Sequence, residues 1–380
     1  MKIATIVGAR PQFIKAAVVS RALWTADEVM IHTGQHYDDN MSEIFFRELG
    51  IARPRYNLGI GSGPHGQQTG RMLETIEAAL IDESPDWVLV YGDTNSTLAG
   101  ALAAAKLRMR VAHVEAGLRS YDPHQPEEIN RVLTDHVSSL LFPPTAQAVE
   151  NLRCEGICNN VHLSGDVMYD AALLHGSRAE RRSRVLEQLG LSHKNYVLAT
   201  IHRPENTDNL ERLSTFMGAL AEVAREIPVL LPLHPRTRTI LEREGMLDDA
   251  TRNLQLTAPV GYLDMVMLEK HARVIVTDSG GVQKEAFFHR VPCVTLRDTT
   301  EWVELVEMGW NRLAPPTSVA AVIAVLRTAL IMSPPLPVGD PYGGGAAGER
   351  IASILSERTH FTQDAAAMGI PWRQPAQPHP

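Results

Sequence analysis

Residues Val274 to Glu285, V-I-V-T-D-S-G-G-V-Q-K-E, run from apolar β-formers through a polar, glycine-rich corner into a helical pattern with Ala286, Phe287 and Phe288 on its apolar face. The stretch predicts a strand, a tight turn and a helix. Ser279, Gly280 and Gly281 would present backbone N–H groups at the positive end of the helix dipole, with no Cβ at the glycines to keep a diphosphate away. Glu285, one helical turn further on, is placed to accept hydrogen bonds from two ribose hydroxyls. Taken by itself the stretch reads equally well as a structural corner, with Asp278 as the helix N-cap and the glycines making the turn.

Working outward, short apolar strands alternate with helical patterns on both sides. Strands are expected at Lys2–Val7, Val29–Thr33, Trp87–Tyr91, Val111–Val114, Leu140–Phe142 and Val161–Ser164, then at Tyr196–Ile201, Val229–Leu233, Leu254–Thr257, Arg273–Thr277 and Pro292–Leu296. A helix is expected over about Gln67–Asp82, where Met72, Leu73, Ile76, Ala79 and Leu80 recur at helical spacing and Pro85 follows. Such alternation means parallel sheets covered on both faces, with ligand sites beyond the C-terminal ends of the strands. The expected class is α/β, with two Rossmann-like doubly wound domains facing each other across a cleft. The first spans residues 1–167 and the second 168–345, with the boundary near Gly165 to Asp170. A proline- and glycine-rich part from Ser333 to Gly348 precedes a short amphipathic helix around Glu349–Leu355, and the tail 359–380 reads as flexible.

Composition narrows the function classes. The 380 residues are 44% hydrophobic and 21% charged, ordinary for a soluble globular chain, and a net charge of −8 with no basic run gives no support for nucleic-acid binding. The opening M-K-I-A-T-I-V-G-A-R-P is too short an apolar run for a signal peptide and there is no 18-residue apolar span, so a cytoplasmic protein without membrane association is expected. Cys154 and Cys158 form no C-x-x-C motif and read as packing, and no histidine falls into an H-E-x-x-H pattern, so no metal is implied.

Several motifs carry chemistry. Gly61-Ser-Gly-Pro-His-Gly66 matches G-x-G-x-x-G but follows Tyr56-Asn-Leu-Gly-Ile rather than a recognisable strand and has Pro64 inside the turn, so a loop is expected there. Gly8-Ala-Arg-Pro-Gln-Phe-Ile-Lys15 directly follows the first strand; Arg10 suits bidentate phosphate contact and Lys15 a point charge near a leaving group, although both also fit a helix start with solvated cations. Asp93 in Y-G-D-T-N-S, Glu115 in H-V-E-A-G-L-R and Glu127 in P-E-E-I-N-R stand at comparable places. Each also fits a helix-start acid, Glu127 and Glu128 best and Glu115 worst, because Ala116-Gly117 follows it. Thr200-Ile-His202-Arg203-Pro-Glu-Asn closes another strand, and His234 in L-P-L-H-P-R-T a further one. Aspartate, glutamate and histidine together suit general acid and base work.

At these residues the chain resembles the non-hydrolysing UDP-N-acetylglucosamine 2-epimerases, which have the GT-B glycosyltransferase-like fold. The motifs are V-G-A-R-P-Q-F-I-K, T-G-Q-H, G-D-T-N-S-T, H-V-E-A-G-L-R-S, P-E-E-I-N-R, H-R-P-E-N, T-D-S-G-G-V-Q-K-E and R-D-T-T-E, over about residues 1–358. The resemblance implies a UDP-sugar substrate held by the second domain, most catalytic carboxylates in the first, a final helix at 346–358 returning to the first domain, a homodimer, and no cofactor. It implies Asp93, Glu115, Glu127 and His202 as catalytic positions and Arg10, Ser279, Gly280 and Gly281 at the diphosphate, with Glu285 on the ribose. Lys15, Arg119, Arg203 and His234 are further substrate contacts on the same ground.

The implied reaction is reversible epimerisation at C2 of UDP-N-acetylglucosamine. UDP leaves C1 as C2 loses its proton, and the resulting 2-acetamidoglucal takes UDP and a proton back on the other face. Asp38, Met265, T-E-W-V-E at Thr300 to Glu304, and Pro235-Arg236 after His234 depart from the common bacterial pattern. These departures point to a modified sugar such as UDP-2,3-diacetamido-2,3-dideoxyglucuronate as an alternative substrate. A hydrolysing epimerase, a glycosyltransferase of the same fold and a non-catalytic nucleotide-sugar sensor are the other readings; the cluster of three acids and a histidine counts against the last two.

Overall fold

The computed structural model describes residues 1–35, 53–332 and 340–367, with side chains as far as Thr359. Asp38, residues 333–339 of the proline- and glycine-rich part, and 368–380 of the tail lie outside the described residues. The chain divides into two compact units, one of Met1–Val167 with the chain from Tyr342 onward, the other of Met168–Pro341.

In the first unit β1 (Lys2–Val7), β2 (Asp27–His32), β3 (Tyr56–Asn57), β4 (Trp87–Tyr91), β5 (Val111–Val114) and β6 (Leu140–Phe142) form one parallel sheet in the order β3-β2-β1-β4-β5-β6. In the second, β7 (Val197–Thr200), β8 (Val229–Pro232), β9 (Gln255–Thr257), β10 (Val274–Thr277), β11 (Cys293–Thr295) and β12 (Asn311–Leu313) pair in parallel in the order β12-β11-β10-β7-β8-β9. Both sheets are therefore doubly wound. Winding reverses between β1 and β4 in one and between β7 and β10 in the other, where the backbone splays and opens a crevice.

Central strands are buried on both faces, which explains their unbroken apolar sequences: all five residues of β4 and all four of β10 are buried. Helices close each core. Met72, Ile76 and Leu80 pack with Ile6, Ile31, Val88 and Val90 in the first unit, and Phe216, Leu220 and Leu326 with Val197, Val276 and Val294 in the second. The helix expected over Gln67–Asp82 runs His65–Glu83 and ends on Ser84 in the left-handed region (φ 44°), directly before Pro85.

Three expectations are corrected. The strand expected at Val161–Ser164 is a single bridge from Val161 to Leu141, because Leu163 faces solvent rather than a neighbouring strand. The loop expected from Gly61 is present as far as Pro64, but the ground that no strand precedes it is corrected: the two-residue β3 lies just upstream and the helix His65–Glu83 opens at the loop's end. The C-terminal helix is longer than expected, Ala347–Ala367; it packs against the helix Arg10–Ala22, and Thr359 Oγ1 accepts a hydrogen bond from Trp87 Nε1 at 2.8 Å.

The chain leaves the first unit and re-enters it at neighbouring points. Asp166 N–H donates to Tyr342 O at 3.0 Å, and a Cβ on Gly165 (φ 87°) would stand 2.6 Å from that same carbonyl oxygen, so only glycine fits. Among the described residues no helix is long and apolar enough to cross a membrane.

Candidate active site

In the first unit the loops after β1, β4 and β5 meet. Gly8 ends β1 beside Ser96 and Thr33, whose hydroxyls are hydrogen-bonded at 2.8 Å; any Cβ on Gly8 would fall inside both. The next helix, Arg10–Ala22, starts with Pro11 in its first turn, and its Gln12 ties the loops together. Gln12 Oε1 accepts from the N–H groups of Gly8 and Ala9 at 2.8 and 2.9 Å, and its Nε2 donates to Tyr91 O at 2.8 Å, Thr94 Oγ1 at 3.0 Å and Thr97 Oγ1 at 2.9 Å. With every polar position of the amide used and the side chain buried, the turns after β1 and β4 are locked in register.

One helical turn past Gln12, the Lys15 ammonium contacts the Glu115 carboxylate directly, and each side chain is about nine-tenths buried. Glu115 stands just past β5 with φ of 74°, a left-handed conformation that costs a residue with a Cβ of the order of 1 kcal/mol. Strain held at a buried charge makes Glu115 a candidate functional position. Gly92 (φ 63°) lies against the pair, its Cβ position 3.4 Å from both Lys15 Nζ and Glu115 Oε2.

Asp93, the next residue, is a third exposed and accepts from Arg131 Nη2 at 2.5 Å. Arg131 also donates to Glu128 Oε2 at 2.8 Å, and Asn130 Nδ2 donates to Asp93 O at 2.9 Å. The structure thus brings Lys15, Asp93 and Glu115 to the ends of β1, β4 and β5. Arg10 stands half-buried at the start of its helix in the same crevice region.

Two expected residues are not joined to this group. Glu127 is exposed in the first turn of the helix Pro126–Val137 and makes no hydrogen bond or ion pair among the described residues. Its neighbour Glu128 is buried and pins the turn before the helix, accepting from Ser120 N at 2.9 Å and Tyr121 N at 3.0 Å. Arg119 is buried and braced, donating to Glu155 at 2.6 and 2.7 Å, Asp135 Oδ2 at 2.8 Å and Leu118 O at 2.7 Å, so four of its five N–H groups point into the protein.

In the second unit the loops after β7, β8 and β10 meet. Asp278 is not the N-cap of the following helix, Gly280–Phe288; Ser279 is. Asp278 is fully buried instead and accepts from His202 N at 3.0 Å, Arg203 N at 3.0 Å and Asn206 Nδ2 at 3.1 Å, with His202 Nδ1 at 3.3 Å. It fixes the turn that carries His202 and Arg203.

The His202 and His234 rings lie 5.5 Å apart; burial, with the neighbouring His202 and Arg236, pushes His234 below its ordinary value. Arg203 Nη2 stands 3.8 Å from Glu301 Oε1, and Arg297 Nη1 2.7 Å from Glu301 Oε2. Burial raises the Glu301 carboxyl, but Arg297 and Arg203 outweigh it and hold the group below the usual carboxylate range.

Gly280 opens its helix tight against Glu301, whereas Gly281 is exposed and open, and Glu285 is half-buried one turn on. The helix therefore presents the N–H groups of its first turn, free of the helical ladder, beside a histidine and an arginine, a setting suited to an anion. Among the described residues no three His, Cys, Asp or Glu side chains are grouped to hold a metal ion.

Sequence reasoning missed Gln12, Arg131 and the role of Asp278. Their contacts cross 79, 38 and 76 residues of chain, and only the doubly wound pairing of β1 with β4 and of β7 with β10 predicts that such positions meet.

Comparison with known proteins identifies the family. The sequence profile of the UDP-N-acetylglucosamine 2-epimerase family matches residues 21–356. The chain is 52% identical over 364 residues to the UDP-2,3-diacetamido-2,3-dideoxy-D-glucuronate 2-epimerase of Pseudomonas aeruginosa, covering 94% of this chain and 100% of that one. It is 46% identical over 365 residues to the UDP-N-acetylglucosamine 2-epimerase of Methanocaldococcus jannaschii, covering 94% and 99%. The crystal structure of the M. jannaschii enzyme in complex with UDP-GlcNAc and UDP aligns with a TM-score of 0.86 over 94% of this chain and 100% of that one, at 46% identity. With the profile and these relatives spanning most of the sequence, the chain belongs to the UDP-N-acetylglucosamine 2-epimerase family.

Proposed function

We propose that the protein epimerises C2 of a UDP-linked 2-acetamido sugar by elimination and re-addition of UDP. The observation that carries the reading is the pair of carboxylates at the ends of neighbouring strands β4 and β5, Asp93 beside Arg131 and Glu115 beside Lys15. Inversion at C2 needs a base on one face of the ring and an acid on the other, and two carboxylates in distinct settings can divide those roles. One takes the C2 proton as the C1–O bond to UDP breaks and the C1=C2 double bond forms. The other delivers a proton to the opposite face of C2 as a UDP oxygen re-forms the bond to C1.

The departing diphosphate suits the N–H groups of Ser279, Gly280 and Gly281, with Arg203, His202 and His234 as its polar surroundings and Glu285 on the ribose; Arg10 is proposed as a phosphate-binding residue on its chemistry alone. Lys15 keeps Glu115 oriented, and Glu127, solvent-facing at its helix start and apart from these two acids, is kept as a third proposed catalytic position. Arg119 serves by bracing rather than by touching sugar.

The sugar we favour is the 2,3-diacetamido uronate, because the relative named for it is 52% identical over 94% of this chain and all of its own length, although a UDP-N-acetylglucosamine 2-epimerase homolog of Methanococcus maripaludis is 56% identical over 82% of this chain. Trp302 and Val303 in T-E-W-V-E agree with an altered pocket. UDP-N-acetylglucosamine is the second reading, supported by the family profile. The working form proposed is a cytoplasmic homodimer, for which light scattering of the purified protein is the check.

Proton NMR in D2O with each nucleotide sugar decides. Deuterium at C2 together with the 2-epimer identifies the substrate, and free sugar with UDP would move the protein to the hydrolysing branch. No exchange on either sugar would refute the epimerase assignment.

A further inference from the structure

His113, in β5 two residues before Glu115, is completely buried. Its Nδ1 lies 2.7 Å from Asp135 Oδ1 and its Nε2 lies 2.7 Å from Gly92 O. Both partners are acceptors, so both ring nitrogens donate. Gly92 immediately precedes Asp93, and the imidazole therefore grips the peptide that aims that carboxylate.

Asp135 carries the grip to the other acid. Its Oδ2 accepts from Gly117 N at 3.0 Å, two residues past Glu115, and from Arg119 Nη1 at 2.8 Å. Burial raises the Asp135 carboxyl, but His113 and Arg119 outweigh it and keep the group below its ordinary value. Asp135 also shares the helix Pro126–Val137 with Arg131, one turn earlier, which holds the Asp93 carboxylate itself.

The clamped backbone needs such restraint. Gly92, Glu115 and Gly117 all have positive φ, of 63°, 74° and 79°. Glycines relax easily from that region and glutamate is strained in it, so the ladder of β5 alone does not hold them.

We propose that His113 is the positioning residue that sets the distance and aim of Asp93 and Glu115 together, by bridging the Gly92 carbonyl to the Asp135 carboxylate. This inference rests on the epimerase reading of the two acids. It assigns no proton transfer to His113, which is sealed from solvent and touches neither acid's side chain.

His113→Gln and His113→Asn separate the two arms. The glutamine amide nitrogen replaces Nε2 and keeps the bond to Gly92 O; the asparagine amide nitrogen replaces Nδ1 and keeps the bond to Asp135. A misplacement of the order of 1 Å costs about 100-fold in rate. Each variant is expected to lose about 10- to 100-fold in kcat, with KM within about threefold and UDP affinity unchanged. A purely structural histidine would lower the unfolding temperature and leave kcat of the folded fraction alone. Folded variants with kcat within twofold of the parent, or with KM raised and kcat intact, overturn the proposal.

If neither variant folds, Arg119→Lys loosens Asp135 from the far side while keeping a cation beside it. A fall in kcat at constant KM then supports the clamp, and an unchanged kcat overturns it. A parent protein that exchanges C2 of neither sugar would remove the epimerase reading itself, a result distinct from an active parent with unimpaired variants.

Discussion

Gly280 and Gly281 are adjacent at the start of one helix, yet a methyl group on each should have opposite effects on stability and the same effect on nucleotide binding. On Gly280 a Cβ would come closer than 3.0 Å to Glu301 Oε1, with Glu301 Cδ at 3.4 Å and Trp302 Nε1 at 3.6 Å. The carboxylate must swing away, loosening its 2.7 Å contact with Arg297, whose side chain is 9% exposed. A hydrogen bond to a charged group contributes about 1.5–3 kcal/mol, partly offset by the roughly 0.5–1 kcal/mol that alanine gains over glycine in a helix.

Gly280→Ala should therefore destabilise the second unit by about 1–2 kcal/mol and lower its Tm by about 2–8 °C. On Gly281 the nearest atom to a Cβ is Ser279 Oγ at 3.9 Å, so Gly281→Ala should be neutral or stabilising by up to about 1 kcal/mol. Both methyls would nevertheless stand where the diphosphate approaches the N–H groups, and UDP affinity should fall at least about tenfold, or roughly 1.4 kcal/mol, in each. Thermal unfolding without ligand and calorimetric titration with UDP read the two effects separately. Gly281→Ala binding UDP as tightly as the parent would refute the cradle, and Gly280→Ala melting with the parent would refute the steric argument.

Glu115→Gln should bind UDP normally and lose about 100- to 10,000-fold in turnover, followed as deuterium incorporation at C2; undiminished turnover would remove Glu115 from the chemistry. Asp278→Asn should cost about 2–3 kcal/mol, because the backbone N–H groups of His202 and Arg203 lose a charged acceptor, and should lower kcat through a displaced His202; an unchanged urea midpoint would contradict this. His289 is buried, and burial, with Lys270, Lys194 and His271 adding, pushes it from an ordinary 6.5 down to about 4. Glu269 Oε2 is 3.8 Å from its Nε2, too far for a hydrogen bond to reverse that. Between those two values the unfolded chain binds the extra proton, so stability falls as pH falls, by about 2 kcal/mol between pH 7 and 5. Urea midpoints at the two pH values should converge in His289→Phe, and an identical pH slope in that variant would exclude His289 as the cause.

How much of this was legible beforehand depended on the range of the interaction. Strands β1, β4, β5 and β6 were readable to the residue because burial on both faces leaves continuous apolar runs, as in Trp87–Tyr91. The edge strands Tyr56–Asn57 and Asn311–Leu313 are too short and too polar to show any period. Glu115 could be suspected because Ala116-Gly117 after a strand is a poor helix start, and its positive φ is the physical form of that oddity. Asp278 looked like an N-cap because capping is the common local use of an aspartate at that place, and only the neighbouring β7 turn reveals the N–H groups it serves. Arg131 was in view within P-E-E-I-N-R, but no spacing rule ties a helix residue to an acid 38 positions upstream.

The return of the chain at Tyr342, beside Gly165 and Asp166, has a consequence for the order in which the protein is made. The second unit is one uninterrupted stretch, so all of it has been synthesised once residue 341 has been added. The first unit, although begun earlier, must wait for Ala347–Ala367 to cover the helix Arg10–Ala22 and to meet the Trp87 indole. A growing chain should therefore be able to finish its second unit first and keep its N-terminal unit open until Ala347–Ala367 has been made. Shortening the C-terminus before residue 347 should then impair the unit that carries Asp93 and Glu115, the one encoded farthest from the cut.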